Sequence, residues 1–378
     1  MMKKVLLVCT VPSLESYSIG IISAAFANKS INCYAYIFLD GKDQRSEKEL
    51  VFAYGVSDVR QQVQFCYLAT NKIIRFLSSS IYLDKVKRFA FSQVIQEIHF
   101  ISQDIILARH LSKFKKFNLY YTVHDFVPHP AKLNFFQGLK HYYLRIRKDK
   151  YLMSQIKNLV TNSVSQLRAL QKRYPDKNVR WHRMPTMLTN EILMGNEVVP
   201  ELGEIEGYVL FFGRIEVYKG IEGLYREFIN NPKLSKIILV IAGKGSLYFK
   251  RDKTKEANIV FINRFIKEKE VATLFKKAKL LVLPYHSATQ SAITSLAYYF
   301  KKPVVGSAIE GLNESILHME TGLLYPPEQF DQLTSMIIRL YVDGHLYRKI
   351  ETNLTTEQPI YDLFKLGDEL AVIYQSHL

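Results

Sequence analysis

The chain has 378 residues, of which 48% are hydrophobic and 13% aromatic. That is too long for one domain of roughly 100–200 residues and too apolar for a disordered chain, so two folded domains are expected. Its 51 lysines and arginines against 35 acids give a formal charge of +16, which favours a polyanionic partner (nucleic acid, anionic lipid or a phosphate-rich ligand) without choosing among them.

Lys3 and Lys4 followed by an apolar run have the outline of a short secretory leader. The run ends at Thr10 and Pro12 with no small-residue cleavage site, so 4–10 reads as a first β-strand and the chain as cytoplasmic. A helix over 19–30 and a strand over 33–40 follow. Further strands are expected at 118–125 and 158–163, then at 208–214, 236–245, 258–263, 279–285 and 302–307. Such apolar runs suit parallel strands covered on both faces, and their alternation with helical stretches gives an α/β fold with ligands at the carboxyl ends of the strands. From Thr186 to Gly207 there are five acids and no lysine or arginine, flanked or interrupted by Pro185 and Pro200. This shift marks an interdomain linker near 186–206.

Two stretches concentrate positive charge beside apolar side chains. Over 132–151, Leu133, Phe136, Leu139, Tyr143 and Ile146 fall on one helical stripe among six cations and one acid. The stretch 72–91 is similar but less regular. Basic amphipathic helices of this kind suit an anionic membrane surface, and equally an ordinary helix whose stripe faces a core. No apolar run reaches the roughly 18–20 residues of a membrane span. Cys9, Cys33 and Cys66 lack the spacing of a disulfide framework or a zinc site, and no His/Asp/Glu cluster has metal-ligand spacing. No segment resembles a nucleic-acid module, so nucleic acid rests on charge alone.

The segment 211–228 carries the most chemistry. A strand ends in Gly213, Arg214 follows, and Lys219-Gly220 opens a helix. A planar guanidinium, a point-charge ammonium and the free amides of a helix start make a diphosphate cradle. The alternative is two solvated cations around a turn. His124-Asp125, at the end of an apolar strand, stands where α/β folds place reactive groups. His129 and His182 are weaker candidates.

Residues 213–228 resemble the GR-x(4)-KG segment of the retaining glycosyltransferases of family 4. Segments 240–247, 258–285, 302–316 and 321–326 follow in the family's order, 121–130 resembles its His-Asp loop, and Ser18-Ile19-Gly20 stands in the place of its first glycine loop. The resemblance implies a GT-B fold, two Rossmann-like domains facing each other across a cleft. The acceptor-binding domain would span 1–190, the nucleotide-sugar domain 205–358, and a last helix near 360–376 would return to the first domain. It implies a metal-independent hexosyltransferase working on a nucleotide-sugar, with a lipid-linked or polysaccharide precursor of a bacterial surface glycan as acceptor. His124, Asp125, Arg214 and Lys219 would carry the transfer. Gly20, Gly213, Arg214, Lys219, Gly243, Arg264, Ser287, Thr289, Gln290 and Ser291 would contact the donor. The family's Glu-x(7)-Glu pair is absent, since its positions fall on Ala288 and Leu296. The segment 284–300 instead resembles a subgroup reading PYR-x-(S/A)-x-QSG, with Ala292 in place of its glycine. That departure leaves a second reading, a catalytically inactive glycosyltransferase-like binding or scaffold protein.

Overall fold

The computed structural model describes residues 3–56, 61–102, 105–126, 146–356 and 363–375. They divide into two units. One holds the described residues up to Phe126, those from Ile146 to Pro185 and the last helix; the other runs from Thr186 to Thr356. Residues 127–145, which include His129 and most of the basic stripe of 132–151, lie outside the described residues.

The first unit is a seven-stranded parallel sheet. Its strands are β1 (Lys4–Cys9), β2 (Asn32–Leu39), β3 (Val63–Tyr67), β4 (Glu97–Phe100), β5 (Asn118–Thr122), β6 (Asn158–Thr161) and β7 (Asn178–Trp181), in the order β3-β2-β1-β4-β5-β6-β7. Its helices up to β7 are α1 (Glu15–Ala27), α2 (Glu47–Ala53), α3 (Lys72–Leu77), α4 (Ser79–Ser92), α5 (Ile105–His110), α6 (Arg147–Gln155) and α7 (Val164–Arg173). β1 and β2 are buried almost end to end, as strands covered on both faces must be. The helix expected from 19 begins at Glu15, after a tight turn over Pro12–Leu14. Gly20 is therefore a buried residue inside α1, not a member of a glycine loop.

The second unit carries β8 (Tyr208–Phe212), β9 (Leu239–Ala242), β10 (Ile259–Ile262), β11 (Ala278–Leu283), β12 (Val304–Ser307) and β13 (Gly322–Tyr325), all parallel, in the order β10-β9-β8-β11-β12-β13. Its helices are α8 (Asn190–Leu193), α9 (Ile221–Asn230), α10 (Glu268–Lys277), α11 (Ile293–Tyr299), α12 (Glu310–Asn313), α13 (Phe330–Val342) and α14 (Gly344–Thr356). In each sheet the order reverses beside the first strand, at β1/β4 and β8/β11, where doubly wound folds open a crevice at the carboxyl ends.

The acidic stretch 186–206 is not a free linker. Ile192, Val199 and Leu202 are buried in the second unit's core, and Glu197 and Glu206 pair with Lys267 at 3.1 Å and Lys277 at 3.6 Å. The acids of this stretch face cations at both ends of α10, with Arg264 joined to Glu201 at 2.7 Å as well.

The last helix, α15 (Leu363–Gln375), packs on α1 in the first unit and buries Leu366, Leu370, Ile373 and Tyr374. Arg183 donates to Glu369 at 2.7 Å, and the Tyr374 hydroxyl lies 2.6 Å from Nδ1 of His99, whose Nε2 is 2.8 Å from the Thr122 hydroxyl. His99 is fully buried and its burial holds it neutral, far below the usual imidazole range.

Candidate functional site

Three loops meet at the carboxyl edge of the second sheet, those after β8, β9 and β11, and glycine lets them meet. Gly243 has φ +147°, and a Cβ there would stand 1.9 Å from the carbonyl oxygen of Gly213. Gly220, left-handed at φ +66°, caps the start of α9, and a Cβ there would stand 1.7 Å from the Pro284 carbonyl oxygen. No larger residue fits either position, because a Cβ needs more than 3 Å and an L side chain disfavours positive φ. The His286 amide donates to the Tyr218 carbonyl at 2.8 Å, and that of Ile215 to the Lys244 carbonyl at 3.1 Å. Above Gly213 itself the space is open to at least 4 Å. A ligand can therefore approach the backbone there.

The two cations of the motif stand in different surroundings. Arg214 is exposed and donates to Glu216 at 2.9 Å. Lys219 is half-buried, its Nζ 3.7 Å from the ring centre of Tyr285 and 5.0 Å from that of Tyr218. No carboxylate among the described residues reaches it. Burial pulls its ammonium down to about 8, against smaller opposing effects of Tyr218 and Glu216. A desolvated cation held by two aromatic faces is stabilised only in part. An anion placed beside it restores what burial took away.

The loop after β11 adds the polar groups. Among the described residues, one short segment holds three buried polar atoms with unmet capacity: Gln290 Oε1 has no hydrogen-bond partner, and the Tyr285 hydroxyl and Ser291 Oγ have at most each other. Such orphans are expensive in a folded protein unless a ligand or water completes them. The Gln290 amide is oriented by Glu314, since Nε2 donates to its carboxylate at 3.1 Å and so fixes Oε1 as the acceptor left over. Ser287 and Thr289 are half-buried in the same loop. Gly311 of α12 presses against this loop, where a Cβ would stand 2.3 Å from the Ala288 carbonyl oxygen. Tyr218, Tyr285 and Glu314 escaped the sequence reading as site residues, although all three lie in segments it singled out.

Arg264 does not belong to this group. Nε donates to Glu201 at 2.7 Å, Nη1 to the Phe265 carbonyl and Glu270, and Nη2 to Glu201 and Glu270. All five donors are used. The two carboxylates hold it permanently charged, and it clamps the 186–206 stretch to α10. A diphosphate would have to break that clamp to reach it.

In the first unit, His124 lies two residues beyond β5. Its Nε2 donates to the Ile101 carbonyl at 3.0 Å and its ring meets the edge of Tyr17 at 4.6 Å. Asp125 follows, half-buried. His182 is fully buried with Nδ1 donating to the Arg183 carbonyl at 2.7 Å, and burial pulls its imidazole down to about 4. It is neutral at any physiological pH and serves as a core residue. Among the described residues no group of three His, Cys, Asp or Glu could hold a metal ion, and no helix is long and apolar enough to cross a membrane.

Residues 198–356 match the family described as Glycosyl transferases group 1, a stretch wholly inside the second unit, which thus carries a domain of that kind. Alpha-D-kanosaminyltransferase of Streptomyces kanamyceticus is 25% identical over 173 residues, 44% of this chain and 45% of that protein. The chain thus spans less than half the length of this curated relative. Two solved structures share the whole architecture. Alr3699/HepE of Anabaena, in complex with UDP-glucose, superposes with a TM-score of 0.69 at 15% identity over 99% of both chains. WaaG, a glycosyltransferase involved in lipopolysaccharide biosynthesis, gives 0.63 at 13% identity over 98% of this chain and 99% of its own. At such identities they establish the fold, which is GT-B.

Proposed function

We propose that this protein is a retaining, metal-independent glycosyltransferase of the family 4 type that takes its sugar from a nucleotide-sugar. The observation that carries the reading is Lys219, a half-buried ammonium without a carboxylate partner beside the open backbone of Gly213. Lys219, Arg214 and the amides at the start of α9 would neutralise the donor diphosphate. The Tyr285 hydroxyl, Gln290 Oε1 and Ser291 Oγ would exchange hydrogen bonds with sugar hydroxyls. UDP-glucose, bound by the Anabaena protein of the same fold, is the natural first donor to try.

In the proposed transfer the bond from the anomeric carbon to the diphosphate oxygen breaks while the acceptor oxygen bonds the same face of that carbon. The acceptor proton passes to the departing phosphate oxygen. The protein then mainly positions the reactants and stabilises the diphosphate charge, with His124 and Asp125 as orienting groups. The basic surface supports a lipid-linked or polysaccharide-precursor acceptor of a bacterial surface glycan, handled in the cytoplasm at the inner face of an anionic membrane.

One observation favours a second reading. Ala288 and Leu296 stand where the family carries carboxylates, as in a protein that binds a nucleotide-sugar without turning it over. Thermal unfolding with UDP, GDP and ADP tests both, because a ligand at about 100 times its Kd stabilises the folded state by about 2.7 kcal/mol. Stabilisation together with sugar transfer or donor hydrolysis supports the enzyme. Stabilisation with neither, across UDP-, GDP- and ADP-sugars, supports the binding protein. No stabilisation by any of them overturns both.

A further inference from the structure

Helix α3 turns its apolar side away from the core. It has no buried residue. Ile73 and Leu77 are 70% and 71% exposed, and Ile74, Phe76 and Ile81, the last in α4, are exposed beside them. Positions 73 and 77 share one face of α3 at four-residue spacing, with 74 on its flank, and Ile81 follows at the start of α4. The polar side anchors the helix. Asn71 caps it by accepting from the amides of Ile73 and Ile74, and Arg75 donates to the Ala69 carbonyl at 3.0 Å and to Asp40 at 3.3 Å. The outward apolar face is therefore held in place from behind, and a contiguous exposed patch of this kind marks an interaction surface.

At the base of α3 lies an open depression of about 560 Å³ lined by Lys42, Arg45, Lys72 and Arg75 against Asp40 and Asp43. Asp40 is paired with Arg75 and Asp43 with Arg45. Lys42 and Lys72, both exposed, thus carry the surplus charge. On the far side of the patch the guanidinium of Arg109 sits 4.6 Å from the ring centre of Phe76, and the nearby Asp84 is neutralised by Lys113 at 2.5 Å. Among the described residues, the apolar face is flanked by cations that no carboxylate pairs, Lys42 and Lys72 at its base and Arg109 beside Phe76.

That charge pattern selects the occupant. A second copy docked through the same patch would bring one net-positive surface against another with no surplus acid to answer it. An anionic bilayer complements the cations. We infer that α3 and the depression at its base dock the protein on an anionic lipid bilayer. Ile73, Ile74, Leu77 and Ile81 enter the boundary between headgroups and acyl chains, and the three cations meet headgroup phosphates. The inference rests on the lipid-acceptor reading above and gives that reading its surface.

The test is co-sedimentation of the full chain at low salt with vesicles of mixed phosphatidylglycerol and phosphatidylcholine, and with phosphatidylcholine alone. The wild type should bind the mixed vesicles and leave the neutral ones. Ile73→Ser/Leu77→Ser and Lys42→Glu/Lys72→Glu should each weaken binding about tenfold or more, with thermal unfolding and UDP binding unchanged. Raised salt should release the wild type only in part, since the apolar contact is not screened. A wild type that ignores anionic vesicles overturns the inference, as do variants that bind like the wild type. So does a wild-type dimer that Ile73→Ser/Leu77→Ser converts to monomer, because the face then belongs to a second copy. Absence of binding to UDP, GDP and ADP alike would overturn the glycosyltransferase reading while leaving the vesicle result to stand by itself.

Discussion

Replacing Lys219 by methionine should move ligand affinity and fold stability in opposite directions. Burial takes its ammonium from 10.5 to about 8, which at about 1.4 kcal/mol per tenfold is a cost of about 3 kcal/mol for keeping the charge at pH 7. The faces of Tyr285 and Tyr218 return about 1–2 kcal/mol of it. The unfolded chain keeps this proton up to pH 10.5 while the folded one releases it from about pH 8. The cost is therefore full below pH 8 and fades as the pH rises from 8 to 10.5. Lys219→Met keeps the stem without the charge, so the ligand-free variant should be about 1–2 kcal/mol more stable at pH 7 by urea unfolding. The same change removes a charge-assisted contact to the diphosphate, about 1.5–3 kcal/mol, and should weaken nucleoside diphosphate binding by roughly 10- to 150-fold. Because the bound anion favours the protonated lysine, wild-type affinity should fall roughly tenfold between pH 7 and pH 9, as the free lysine goes from about nine-tenths to about one-tenth charged. Lys219→Arg, charged throughout, should flatten that dependence. Calorimetric titration with UDP, ADP and GDP at both pH values reads each of the affinity outcomes. A methionine variant that binds as tightly as the wild type would refute the reasoning, and so would a wild type whose affinity is level from pH 7 to pH 9.

Four further outcomes follow from the same geometry. Gly243→Ala forces a methyl onto the Gly213 carbonyl and should cost about 2–3 kcal/mol or more in denaturant unfolding; Gly213→Ala, whose methyl would stand in open space but whose φ of +139° disfavours any L side chain, should cost about 1–3 kcal/mol of stability and lose ligand affinity as well. Arg264→Gln leaves Glu270, 3% exposed, without its counter-charge and should cost about 3–5 kcal/mol with UDP affinity unchanged. Glu270 and Glu201 are held below the usual carboxylate range by Arg264, so the wild type should lose this stability as pH falls below about 4.5, and the variant should show a flatter acid limb. Glu314→Ala removes the acceptor, should release the Gln290 amide and should weaken nucleotide-sugar binding by about 1 kcal/mol while leaving nucleoside diphosphate binding intact, as compared by titration. Sugar transfer should persist in excess EDTA; its loss, restored by magnesium or manganese, would reveal a metal site.

The sequence makes the second sheet easy to read and the first one harder. β8 and β9 are unbroken apolar runs and β11 is one beyond Lys279, the pattern of a strand covered on both faces. β4 hides a central strand behind Glu97 and His99, which become acceptable only because Lys3 lies 3.3 Å from one and Tyr374 and Thr122 hold the other. Those partners come from distant parts of the chain, and no local pattern announces them. The segment at 18–20 reads as a glycine loop because nothing nearby says that Pro12–Leu14 starts the helix early. Arg214 and Lys219 are legible from their spacing. Arg264 looks equally free in the sequence, since the carboxylate that occupies it, Glu201, lies 63 residues upstream. The acids of 186–206 do begin where the two units divide, after Pro185, but they read as a free linker because the cations folded against them, Arg264, Lys267 and Lys277, lie far along the chain. Orphaned polar atoms such as Gln290 Oε1 exist only in three dimensions.

The return of α15 to the first unit sets an order of events during synthesis. The ribosome delivers β1 to β7 first, then the whole of the second unit, and only afterwards the helix that covers α1 with Leu366, Leu370 and Ile373 and supplies the Tyr374 hydroxyl to His99. At 5–20 residues per second, that interval lasts on the order of ten to forty seconds. Throughout it the earlier half carries an uncovered apolar groove and a buried imidazole short of one partner, while the later half can already close around its own core. The part of the protein made first is the last to be sealed, and it is the part whose nascent form most needs protection from its neighbours.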